Sequence, residues 1–105
     1  MDTRNALPAI HPGEILRKDV LPSTDLTVTG TAKALGVSRQ MIHDILAERR
    51  PLSPLMCLKI ARLFGGSPEL WMRLQVSYDL KTIEKNKRVM RAVERIIPVR
   101  EHRAA

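Results

Sequence analysis

Several things are scarce in this 105-residue chain. There is one cysteine, Cys57, so neither an intrachain disulfide nor a cysteine-based zinc site can form, and a reducing compartment is expected. A single Phe, a single Trp and a single Tyr count against an RNA-binding sheet or an oligonucleotide-binding barrel, which need stacking aromatics. No apolar stretch approaches ~20 residues, so no membrane span is expected. Met1-Asp2-Thr3-Arg4-Asn5 leads into no apolar run of the kind a signal peptide has. There is no Gly-rich phosphate loop and no nucleophile with a base at recognisable spacing. His11, His43 and His102 are scattered, without the i, i+4 spacing of a helical metal site. Neither enzyme chemistry nor a metal or cofactor is expected.

What is present is a globular composition, 44% hydrophobic, in a length that suits one domain. Eighteen Lys and Arg oppose eleven Asp and Glu, for a formal charge of +7. So basic a small domain calls for an acidic partner such as nucleic acid, an anionic membrane or an acidic protein. The excess is concentrated at the end, where residues 81–105 carry eight basic and three acidic side chains.

The punctuation is helical. His11-Pro12, Ser53-Pro54 and Ser67-Pro68 each pair a polar residue with proline at a first helical position, where the missing N–H costs nothing. Thr27 and Ser38 are two further N-cap candidates. Pro22, Gly36 and Gly65-Gly66 are expected to end the first, second and fourth helices. No stretch alternates in the manner of a half-buried strand. The expectation is all-α, with five short helices over residues 12–80, an N-terminal arm over 1–10, and a basic tail over 81–105.

The segment from Thr27 to Leu46 reads as two short helices joined by a tight turn. Ala32 is small where the next helix would cross, Gly36 supplies a positive φ, Val37 fills the gap, and Ser38 caps the second helix. Ile42, Ile45 and Leu46 fall on one face, at i, i+3 and i+4. That leaves Arg39, Gln40, Met41, His43 and Asp44 exposed. In a helix-turn-helix the first turn of the second helix enters the major groove, where Arg suits guanine and Gln suits adenine. Arg49 and Arg50 would lie by the backbone, while Glu48 could repel it. The bland alternative is an ordinary helical hairpin with a solvated polar face.

His11-Pro12-Gly13-Glu14-Ile15-Leu16 resembles the opening motif of the HigA family, the host-inhibition-of-growth antitoxins also known as virulence-associated protein I. Ala32 to Leu46, Arg49 to Pro54, Gly66 to Trp71 and Gln75 to Leu80 fit the same pattern, so the resemblance covers about residues 11–80. It implies a five-helix Cro/lambda-repressor-like domain, a homodimer, a palindromic operator in its own promoter and a cytoplasmic location. It also implies a toxin partner, a HigB-like mRNA interferase. The family's DNA-reading positions fall on Ser38, Arg39, Gln40, Met41 and His43, with backbone contacts from Thr27, Arg49 and Arg50. Three departures stand out. Gly30-Thr31 should weaken the first helix of the motif. Ala47-Glu48 replaces the usual Asn-Gly after the second. The tail from Lys81 is longer and more basic than a minimal member needs.

Outside the motif, Leu55 to Phe64 is apolar over more than one face, as befits a central helix or one that meets another subunit. Trp71, Leu74 and Tyr78 read as core, and Cys57 as a small buried hydrophobe. The tail reads as a basic amphipathic helix from Lys81 to Ile97, either separate or a continuation of the fifth helix, with Ile83, Met90, Val93 and Ile97 on one face and Lys85, Arg88 and Arg95 mostly opposite. It either carries a solvated face or meets DNA, the toxin or a second subunit. Two alternatives to an autorepressing antitoxin are a stand-alone regulator without a toxin and a toxin-binding module with weak DNA affinity.

Overall fold

The computed structural model describes residues 9–101. Among them are six α-helices and no strand: α1 (Pro12–Ile15), α2 (Val28–Leu35), α3 (Arg39–Leu46), α4 (Pro54–Phe64), α5 (Pro68–Glu84) and α6 (Lys87–Glu94). The arm expected over residues 1–10 lies mostly outside the described residues, as does His102.

Helix starts follow local chemistry. The hydroxyls of Ser53 and Ser67 accept the N–H groups of Met56 and Leu70 at 3.1 and 3.0 Å, with Pro54 and Pro68 opening α4 and α5. His11 does the same for α1 with an imidazole, whose Nδ1 accepts the Gly13 N–H at 2.8 Å. The ring is buried and meets Tyr78 edge-on at 4.8 Å between centroids. Burial lowers its pKa from the ordinary 6.5, against smaller opposing influences of Glu48 and Asp79.

Two helix ends differ from expectation. Pro22 does not simply stop the first helix. After Ile15 the chain widens into a π-helical turn, Leu16–Val20, where the Leu21 N–H reaches back to the Leu16 carbonyl, and then tightens into a 3-10 turn, Leu21–Ser23, that contains Pro22. Pro22 has no N–H to give to the carbonyl of Lys18, so nothing enforces regular winding ahead of it. The tail is not one helix either. Lys81 to Glu84 complete α5, and Asn86 starts α6 afresh by accepting the Val89 N–H at 3.2 Å. The apolar stripe drawn from Ile83 to Ile97 is thus divided between two helices. Beyond α6, Val99–Glu101 form a 3-10 turn.

Leu16, Ala32, Leu35, Ile42, Ile45, Leu52, Met56, Cys57, Ile60 and Trp71 form the core, with Ile15, Val37, Leu46 and Leu74 packed around it. Burial pushes the Cys57 thiol up, which suits a packing role. Gln75 is buried beside the core, as the polar residues His11, Thr31 and Lys81 are. Its carbonyl accepts the Leu52 N–H at 2.8 Å and its amide donates to Asp79 at 2.9 Å, fixing the chain between α3 and α4.

Gly13 is where α1 meets α3. A Cβ there would stand 1.9 Å from the Ile45 carbonyl oxygen, so only glycine allows the approach. Gly13→Ala should destabilise the fold by more than about 2 kcal/mol, because neither backbone can yield cheaply; the shift of the urea midpoint measures it. A second expectation concerns pH. The folded state holds His11 neutral as an acceptor, so its contribution is complete above 6.5 and is lost as pH falls below that value towards the lowered folded pKa. Urea midpoints taken from pH 7.5 down to 5 should decline, and His11→Asn, which keeps a capping acceptor, should flatten that decline.

Candidate nucleic-acid interface

The pair α2–α3 is built as its sequence requires. Thr27 Oγ1 accepts the Gly30 N–H at 3.0 Å, and Ser38 Oγ accepts the Met41 N–H at 3.1 Å. Gly36 sits at φ +69°, and the Val37 N–H returns to the Ala32 carbonyl at 3.0 Å, closing the turn. Thr27 thereby secures a helix that Gly30 weakens. Both capping hydroxyls keep their O–H free to donate, as a phosphate oxygen requires.

Ile42 and Ile45 point into the core, so the opposite side of α3 faces outwards. Ser38, Arg39, Gln40 and His43 are exposed there, and Arg49 and Arg50 are exposed just beyond the helix end. Met41 departs from the expected exposure. It is half-buried and packed against the core, since its position on the wheel lies nearer Ile45 than that of Gln40 does.

Three of these expected DNA residues converge on Asp44, half-buried at the edge of the face. Its Oδ1 accepts from the Gln40 amide at 2.9 Å and from the Arg49 guanidinium at 3.0 Å. Its backbone carbonyl accepts the N–H groups of Arg49 and Arg50 at 2.8 and 3.2 Å. The hydrogen bonds from Arg49, then Gln40, hold the carboxyl below its usual range. The sequence had marked Asp44 only as an exposed charge. Its i, i+4 relation to Gln40 was legible; its reach to Arg49 depends on the turn that follows α3.

That turn carries the one described non-glycine residue with positive φ, Glu48 at +64°. A side chain in this left-handed conformation costs roughly 1–2 kcal/mol, which explains why glycine suits the position. Arg17, from the π-helical turn, offsets the strain. It donates to the Leu46 carbonyl at the C-terminal end of α3 and to the Glu48 carboxylate at 3.3 Å. Glu48 is therefore neutralised by an intramolecular partner 31 residues away in sequence, a pairing that no local pattern shows.

A helix-turn-helix family model, HTH_3, matches residues 23–71. Virulence-associated protein I of Dichelobacter nodosus is 41% identical over 96 residues, which span 91% of this chain and 86% of that protein. The chain belongs to the HigA-like family of helix-turn-helix proteins. A Pseudomonas aeruginosa structure described as antitoxin HigA with higBA promoter superposes with a TM-score of 0.78 at 36% identity, covering 88% of this chain and 99% of that one. A hypothetical protein from Escherichia coli superposes with a TM-score of 0.87 at 30% identity, covering 93% and 100%. The HigA-like family is non-enzymatic. Residues 81–105 make up about a quarter of the chain, so a match over 93% of it takes in most of them.

The position of Glu48 yields an expectation with an internal control. Glu48→Gly and Glu48→Ala both lose the Arg17 pair, but only glycine relieves the backbone. The glycine variant should be more stable than the alanine variant by about 1 kcal/mol in urea denaturation.

Proposed function

We propose that this HigA-like protein is a cytoplasmic antitoxin that represses its own operon as a DNA-binding homodimer and silences a small ribonuclease toxin by direct contact. The observation that carries the DNA half is the outward face of α3. It joins a base-reading pair, Arg39 and Gln40, to a capped helix N-terminus and to Arg49 and Arg50 beyond the helix. Arg39 is suited to guanine and Gln40 to adenine in the major groove. Ser38, His43 and the Thr27 hydroxyl would complete the footprint, with Arg49 and Arg50 on phosphates. The relative described as antitoxin HigA with higBA promoter supports the same use of the fold.

Homodimerisation is supported by apolar side chains that the folded chain leaves uncovered. Leu55 and Leu58 on α4, Val76, Leu80 and Ile83 on α5, and Val89 and Val93 on α6 are all more than 40% exposed. A two-fold dimer would space its half-sites by about one DNA turn, roughly 34 Å, or a multiple of it. The toxin is proposed from family membership alone, and a relative named Antitoxin HigA-1 from Vibrio cholerae is 29% identical over 71 residues. A toxin-binding module with weak DNA affinity is the alternative, favoured by the two carboxylates, Asp44 and Glu48, beside the reading face.

Fluorescence anisotropy separates the two. DNA from immediately upstream of the gene should bind tightly at physiological salt while a shuffled duplex does not. Arg39→Ala should cost about 1–3 kcal/mol on the upstream site and relax its preference, whereas Arg49→Ala should weaken both duplexes alike and flatten the salt dependence. Equal, salt-fragile binding of both duplexes by the unaltered protein would favour the protein-docking module.

A further inference from the structure

We infer that Asp44 is a specificity-determining positioning residue, whose carboxylate fixes the orientation in which Gln40 is presented to DNA and holds Arg49 beside it. This rests on the proposal that α3 reads bases. An ionised carboxylate only accepts hydrogen bonds, so it draws the NH2 end of the Gln40 amide and repels the carbonyl end. The contact is 2.9 Å, and the i, i+4 spacing keeps both side chains on one exposed edge of α3. One Gln40 N–H goes to Asp44. The other N–H and the carbonyl oxygen remain as a donor–acceptor pair, which complements the N7 and N6 amino group of adenine. A glutamine without such a partner rotates about its last torsion and presents either end to a base.

Arg49 is held to the same oxygen at 3.0 Å, and its backbone N–H is held to the Asp44 carbonyl at 2.8 Å. The base reader and the backbone contact are therefore set relative to each other before DNA arrives, which lessens the ordering required on binding. The charge acts in the same direction. A carboxylate beside the reading face disfavours phosphate wherever the correct base does not engage Gln40, so it lowers affinity for unrelated DNA.

The test uses the full chain with Asp44→Ala, Asp44→Asn, Gln40→Ala and the double variant Gln40→Ala/Asp44→Ala. The readout is the ratio of affinities for the upstream duplex and the shuffled duplex. Asp44→Ala should reduce the ratio about five- to tenfold, with the shuffled duplex bound at least as tightly as before. Asp44→Asn keeps an acceptor for the amide and removes the charge, so both duplexes should bind more tightly with most of the ratio retained. In the Gln40→Ala background, removing Asp44 should change the ratio no further. Should Asp44→Ala tighten both duplexes equally and leave the ratio intact, Asp44 is a repulsive charge alone and the positioning role is overturned. Should Gln40→Ala itself leave the ratio unchanged, base reading by Gln40 falls, whatever Asp44 does. Thermal unfolding of each variant confirms that the exposed substitutions leave the fold in place.

Discussion

The contact between α1 and α3 at Gly13 is the constraint on which the reading face depends. A helix of eight residues is too short to be stable alone in water, so α3 exists because the rest of the chain holds it. Ile42 and Ile45 anchor it from below. Gly13 lets α1 press against the Ile45 carbonyl, and Arg17, one turn further along, takes the Leu46 carbonyl and the Glu48 carboxylate. In the last turn of α3 the carbonyls of His43, Asp44 and Ile45 accept backbone N–H groups of the residues that follow, and Arg17 takes that of Leu46. The opening motif from His11 to Leu16 is far in sequence from the exposed residues of α3, yet it sets where they point. His11 belongs to the same device, because its neutral imidazole starts α1 and its ring abuts Tyr78 of α5.

The helical plan and the outward exposure of most of the α3 face were legible in the sequence because they rest on local rules. Ser-Pro starts, the Thr27 and Ser38 caps and the Gly36 turn each depend on three or four consecutive residues. The apolar spacing of Ile42 and Ile45 fixed which side of α3 faces outwards. Through-space features were not legible. Nothing local tells that Glu48 would meet Arg17, or that Gln75 would reach the Leu52 backbone. Met41 was misplaced because the exposed first turn was treated as a unit, although its third residue already rotates towards the core. The tail was misread because Asn86 was not weighed as a cap. An asparagine ahead of Lys87-Arg88-Val89 can restart a helix as readily as lie within one, and the apolar period alone does not register the phase change.

The surface divides its chemistry between two tasks. Around α3 the exposed side chains are polar or charged. On α4, α5 and α6 a series of leucines, valines and isoleucines remains uncovered, and α6 buries no residue. A lone exposed leucine is ordinary on a soluble protein, but a run of them along successive helices suits the proposed homodimer interface. On α6, Lys87, Arg88 and Arg91 occupy the side of the wheel opposite Val89 and Val93. Covering the apolar side would leave the basic side in water, where like charges four apart repel only weakly.

Carboxylates beside a surface proposed to approach phosphate look counterproductive if affinity is the only aim. Net charge supplies affinity for any DNA, and at +7 this chain has no shortage of it. What net charge cannot supply is preference among sequences. Asp44 and Glu48 are the two acidic residues in the stretch 27–53, and each is held by an arginine of the same chain, Arg49 and Arg17. Both pairs are partly exposed, so neither contributes much stability as an ion pair. Their effect is geometric. The Arg17 pair secures a turn that would prefer glycine, and the Asp44 pair sets the side chains that follow from that turn. On the proposed DNA-reading role, a chain with the same cations but without these carboxylates would bind more DNA and distinguish less of it, since unspecific attraction rises as the orienting contacts disappear.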